Sequence, residues 1–219
     1  MNIKHLAHYE KLWNKVGDWK NLNKTFRNKT PSSSTLEFIE FLSKDKTKNR
    51  KVLDVGCGGG RNLIPFAQHG FDCYGIDFSK TAISLAKKLA EENRVSLNLK
   101  IGDVLKLTYK KEYFDVIIDD GCLHHLKKSE YKNYLKNIVK VLKKEGYFKL
   151  YCFSAKTKLF LGKKITEKYN WIYHNNHYTH FFTLEEIKEL FKKNLKIIKI
   201  LEEKDDKERY FWFFYMKKI

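Results

Sequence analysis

The residues with the clearest chemical potential sit in VLDVGCGGGRN, Val52 to Asn62, where Asp54, Gly56, Gly58 and Gly60 read DxGxGxG among Cys57, Arg61 and Asn62. A buried strand that runs into glycines and then into a helix makes a nucleotide cradle. The glycines let the backbone turn sharply and approach a ligand, and the helix N-terminus offers unpaired N–H groups. A dinucleotide-binding GxGxxG starting at Gly56 would need glycine where Arg61 stands, and no phosphate-binding GxxxxGK[ST] exists. Downstream, Asp77 closes YGID, Asp103 follows Gly102, and FDVIIDDGCLHHL (114–126) carries Asp119, Cys122, His124 and His125. Either histidine can receive a proton from a nucleophile, or the pair can simply shape the joint between loop and helix. His174, His177 and His180 stand at three-residue steps. No Cys or carboxylate lies among them and such steps do not align in a loop, so no metal is expected.

These groups need a scaffold, and residues 51–154 supply the alternation of short β-rich runs and helical patterns that marks a parallel α/β sheet. Strands are expected at Lys51–Val55, Cys73–Ile76, Leu97–Ile101, Phe114–Ile118 and Tyr147–Phe153. Helices are expected at Gly60–His69, at Ser79–Asn93 with Ser79 as N-cap, and over 128–144 with Tyr131, Leu135, Ile138 and Leu142 on one face. Thr183 with Glu186 forms a capping box ahead of a further helix, and Leu195–Leu201 with Tyr210–Tyr215 reads as an antiparallel hairpin. The fold class is therefore a Rossmann-like α/β sheet of seven strands, mostly parallel, with one antiparallel strand near the C-terminus and helices on both faces. One domain is expected over 1–219: a helical cap (1–45) in which Ser34 and Glu37 form a capping box, a ligand-binding core (51–154), and an irregular insertion of substrate loops (155–182). Trp171–Phe182 holds five aromatic residues beside three histidines, which reads either as an aromatic pocket or as plain loop packing.

Composition narrows the classes. The 219 residues are 42% hydrophobic and 15% aromatic, ample apolar area to offset chain ordering. No apolar stretch is long enough to span a membrane and residues 1–10 have no signal-peptide centre, so a cytoplasmic protein with no membrane partner is expected. Cys57, Cys73, Cys122 and Cys152 form no CxxC pair and read as reduced structural thiols. The net charge of +18 is spread as +6 in each of 1–50, 51–154 and 155–219, and 5 of the 44 cations are Arg. That distribution points to a lysine-rich composition and to weak, non-specific nucleic-acid binding.

With these motifs in order, the chain resembles the class I S-adenosylmethionine-dependent methyltransferases over residues 51–154. The resemblance implies S-adenosylmethionine as cofactor, held by the DxGxGxG loop. It implies that Asp77 accepts hydrogen bonds from the ribose hydroxyls and that Asp103 faces the adenine amino group, with the Val104 N–H nearby. Phe78 would cover the adenine, Asp119 to Cys122 would line the methionine part, and Trp19 would contact the cofactor. His124 and His125, which follow the fourth strand, would stand beside the methyl group, and a narrower likeness to the thiopurine, thiol and tellurite-resistance enzymes implies a small-molecule S, N or O acceptor. The rivals are an RNA or protein methyltransferase and a non-catalytic cofactor-binding subunit. The Asn/Asp-Pro-Pro-aromatic motif of amino-methylating nucleic-acid enzymes is absent: that position reads Asp119-Asp120-Gly121-Cys122. Oligomeric state is not legible.

Overall fold

Val52, Leu53 and Val55 have no exposed surface, and neither do Val116, Ile117 and Ile118. Strands apolar on both faces have to lie in the middle of a sheet covered on both sides. A computed structural model describes residues 3–15, 29–44, 50–166, 168–174 and 177–219. In chain order the elements are α1 (Ile3–Asn14), α2 (Ser33–Ser43), β1 (Lys51–Val55), α3 (Leu63–Gln68), β2 (Asp72–Asp77), α4 (Lys80–Glu92), β3 (Asn98–Ile101), β4 (Phe114–Asp120), α5 (Tyr131–Val141) and β5 (Leu142–Phe153). Then come β6 (Leu159–Phe160), β7 (Lys163–Lys164), β8 (Trp171–His174), β9 (His177–His180), α6 (Leu184–Phe191), β10 (Leu195–Lys204) and β11 (Tyr210–Lys218).

Seven strands form one sheet in the order β10-β11-β5-β4-β1-β2-β3. β11 runs antiparallel to both of its neighbours and the others are parallel, so the expected architecture is present. The chain leaves β1 toward β2 and β3 on one side and returns to β4 and β5 on the other. The switch between β1 and β4 opens a crevice beyond the strand C-termini, where ligands bind in open α/β sheets.

Several local expectations shift, each for a physical reason. α3 starts at Leu63, not Gly60, because Gly60 holds a left-handed φ of 78° that a helix cannot include. The helix expected through 144 ends at Val141: Leu142 is already extended and begins β5, and Glu145 at φ 61° bulges the strand opposite Asp115. The N-cap of α2 is Ser32, and Ser34 is buried inside the helix, so the Ser34–Glu37 capping box does not form. The Ser79 cap and the Thr183–Glu186 box are both in place. The insertion expected to be irregular holds two short hairpins, β6–β7 and β8–β9.

The two leading helices do different work. α2 is core: Phe38, Ile39 and Leu42 are buried with Val116, Ile118 and Tyr215. α1 caps the sheet edge, where Glu10 accepts from the Lys80 N–H at 2.6 Å and the Thr81 hydroxyl at 2.7 Å, a carboxylate on the first turn of α4. Among the described residues, no helix is long and apolar enough to cross a membrane. The four cysteines are free thiols, and burial pushes each of them up in pKa.

Candidate active site

The glycine loop is strapped to the strand beside it. The Gly56 and Cys57 N–H groups donate to Ile76 O, and the Gly58 N–H donates to Asp77 Oδ2 at 2.9 Å. Gly58 has φ 52°, and a Cβ there would lie 2.6 Å from Trp13 Cζ2, so glycine is required both by conformation and by the α1 ring above it. Gly56, at φ 71°, meets Cys122 Cβ in the same way at 2.9 Å. The turn after β1 thus touches the turn after β4, and the two form one floor.

Above it opens a cavity of about 570 Å³. Asp54, Gly56, Cys57, Gly58, Arg61, Asn62, Asp77, Phe78, Asp103, Val104, Cys122, His124 and His125 all line it. Asp77 also accepts from the Ser79 N–H at 2.8 Å, and burial pushes its carboxyl up to about 6 against those two donors. Asp103 caps the turn at Val104 by accepting from the Leu105 N–H at 2.9 Å. Phe78 lies edge-on to Tyr9 of α1. Burial, with Asp120 and Asp119 nearby, holds Asp54 well above the usual carboxylate range. Trp19 lies outside the described residues; Trp13, one turn after Tyr9, lines the cavity.

Asp119 does not line it. The carboxylate is fully buried under the loop, accepting from the N–H groups of Gly121, Cys122 and Leu123 and from the Tyr134 hydroxyl. It holds the turn that carries the histidines. The next residue, Asp120, points into the cavity and accepts from Ser32 Oγ at 2.8 Å and from Asn62 Nδ2. Lys149, buried in mid-strand on β5, stands 3.9 Å from Asp120 and 3.2 Å from Thr35 Oγ1. Burial raises the Asp120 carboxyl, but Lys149, Arg61 and the two hydrogen bonds outweigh it and bring the net below the ordinary value.

His125 Nδ1 lies 3.0 Å from Tyr178 O, which can only accept, so that nitrogen carries the proton. Its Nε2 then accepts from His124 Nε2 at 3.1 Å in the neutral pair. The hairpin that supplies Tyr178 contributes Thr179 to the cavity lining. Most of its expected aromatic pocket is core: Trp171, His180 and Phe182 pack around Tyr131. His180 is engaged by Tyr131, Asn170 and Glu186. The aromatic lining comes instead from Tyr151, Phe153, Phe160, Phe211 and Phe213. The alternation in CFS and YFWFF hints at this face, but only the β5–β11 register brings it together.

Residues 46–207 match the family model described as a methyltransferase domain. The chain belongs to that family. It is an S-adenosylmethionine-dependent methyltransferase. It is 28% identical to the ubiquinone biosynthesis O-methyltransferase of Pelagibacter ubique (strain HTCC1062), over 92% of this chain and 87% of that one. Against the protein of the same name from Rickettsia akari (strain Hartford) it is 30% identical, over 85% and 75%. In fold it is similar to the 1,6-didemethyltoxoflavin-N1-methyltransferase of Burkholderia thailandensis, with TM-score 0.72 and 18% identity over 100% of this chain and 91% of that one. The relatives named above are ubiquinone biosynthesis O-methyltransferases, and the narrower likeness to thiopurine, thiol and tellurite-resistance enzymes is not specifically shown.

The cavity of this methyltransferase fits its cofactor. A glycine cradle that Cβ atoms would fill, a buried acid at the end of β2, an aromatic ring beside it and an acid after β3 give the donor and acceptor set that an adenosyl group needs.

Proposed function

We propose that the chain methylates a small-molecule nucleophile, with Asp77 on the ribose hydroxyls, Asp103 toward the adenine, and the floor from Gly56 to Asn62 with Cys122 beneath the methionine part. When bound, S-adenosylmethionine supplies an activated methyl group: the acceptor's lone pair takes the carbon and the electrons of the carbon–sulfur bond leave with the sulfur. The protein's share is alignment, exclusion of water and custody of a proton. The observation that carries the reading is that one cavity runs from Asp77 past the two histidines to an aromatic wall. That is the size and lining of a small-molecule site.

The proton released by an S–H, N–H or O–H acceptor goes to His125. Its Nδ1–H is fixed on Tyr178 O, so Nε2 is the basic atom, and it is freed when the His124 N–H releases it. His125 is the more exposed of the two; His124 is buried and backs it. The relatives named as O-methyltransferases favour a hydroxyl acceptor.

The test is methyl transfer from tritium-labelled S-adenosylmethionine to panels of phenols, thiols, amines and RNA at physiological salt. Label is expected in a small acceptor. Label in RNA in preference to every small acceptor, with tight sequence-selective capture, would overturn the reading, because RNA binding through dispersed lysines fades at that salt.

A further inference from the structure

The far wall of the cavity is made by two strands distant in sequence. Tyr151 pairs with Phe213 and Phe153 with Phe211 across β5 and β11. Strand alternation puts these four rings on one face. Tyr151 stacks on Phe211 with centroids 5.1 Å apart and planes at 17°, and Phe160 from the β6–β7 hairpin packs on Phe153 at 5.2 Å. His124 closes the inner end, 4.7 Å from the Phe153 ring. The proton-accepting pair and the aromatic wall are therefore in contact.

Two further observations narrow what this wall receives. The Tyr151 hydroxyl has no hydrogen-bond partner among the described residues, although Tyr131 and Tyr134, on the opposite side of the sheet, both find one. Burial, with Asp120 close by, pushes the Tyr151 phenol up, so it stays a donor. Of the charges lining this end, Asp120 is compensated by Lys149, Ser32 and Asn62, Asp205 by Arg209 and Lys204 by Glu208, while Glu203, opposite Phe211 on β10, has its carboxyl raised by burial and by Glu37 nearby.

We propose that this face is the acceptor subsite, and that it takes a flat aromatic or heteroaromatic ring carrying the nucleophile, with Tyr151 Oη donating to an acceptor atom on the ring's rim. The inference rests on the small-molecule reading above and names its substrate class. Offset rings attract one another beyond simple area burial, which gives a flat ring an advantage over a puckered one of equal size.

The probes are guaiacol, phenol and cyclohexanol, titrated by ligand-observed NMR into the protein saturated with S-adenosylhomocysteine, with tritium transfer to each counted in parallel. Phenol is expected to bind at least tenfold more tightly than cyclohexanol, and guaiacol, with its extra acceptor oxygen, more tightly still. Phe211→Leu, which keeps apolar volume, should erase the gap between phenol and cyclohexanol. Tyr151→Phe should erase only the gap between guaiacol and phenol, leaving S-adenosylhomocysteine affinity unchanged. Cyclohexanol binding as tightly as phenol, or an unchanged order in folded Phe211→Leu protein, would overturn the subsite. Failure to bind S-adenosylhomocysteine would instead defeat the methyl-transfer reading. Ring selectivity without label transfer would uphold the subsite and count against a hydroxyl nucleophile.

Discussion

The Tyr134 hydroxyl donates a 2.6 Å hydrogen bond to Asp119 Oδ2, and this turns the first acid of the Asp119-Asp120 pair away from the cavity. Strand alternation then aims Asp120 into it. One acid builds the loop and the other lines the site. Tyr134→Phe removes one charge-assisted bond in the core, so a loss of about 1.5 to 3 kcal/mol in urea unfolding is expected. Cofactor affinity, read by calorimetry, should stay within about twofold, since Asp119 keeps its three backbone donors.

Asp120 and Lys149 form a buried pair, and breaking one side strands the other. Asp120→Ala leaves an uncompensated ammonium and should cost about 3 to 5 kcal/mol. The double variant with Lys149→Met should recover most of that loss. An additive double variant in denaturant titrations would show that the two do not share their stability.

Asp77 gives two pH dependences of opposite sign. Its folded pKa is about 6 against an ordinary 3.8, so folding binds a proton between these values. The stability it contributes is full below 3.8 and is lost as pH rises through 6. Relative to Asp77→Asn, wild-type protein should lose up to about 3 kcal/mol between pH 4 and 7.5 in urea unfolding. Cofactor affinity moves the other way. In the proposed role the ribose hydroxyls would donate to the ionised carboxylate, so the dissociation constant should rise about tenfold per pH unit below 6.

Much of this was legible in the sequence, for reasons that differ by residue. The β1-loop-α3 turn is readable because DxGxGxG leaves the backbone few choices, and the Ser79 and Thr183 caps because a side chain there bonds its own helix. Whether Asp119 or Asp120 faces the cavity is not readable from the pair, since alternation fixes only that they differ. The aromatic wall was hidden for a related reason. Tyr151 and Phe213 are 62 positions apart and meet only through an antiparallel register that no local pattern encodes. The histidine-rich stretch drew notice by composition, but Trp171, His180 and Phe182 bury their rings around Tyr131 because α5 leaves an apolar face there to be covered.

His125 tests the chemistry apart from binding. His125→Ala should leave the S-adenosylmethionine dissociation constant within about threefold, while kcat falls about a hundredfold, the usual worth of a positioned base. An unchanged kcat would assign the proton to water.

Calorimetric titration of wild-type and Asp77→Ala protein with S-adenosylmethionine, with NAD as the contrasting ligand, tests the cofactor site most directly. One saturable site for S-adenosylmethionine is expected and none for NAD. A charge-assisted ribose contact worth about 1.5 to 3 kcal/mol should make Asp77→Ala bind about tenfold to a hundredfold more weakly with its fold intact. Saturable NAD binding with none for S-adenosylmethionine, or an unchanged affinity in folded Asp77→Ala protein, would contradict the account.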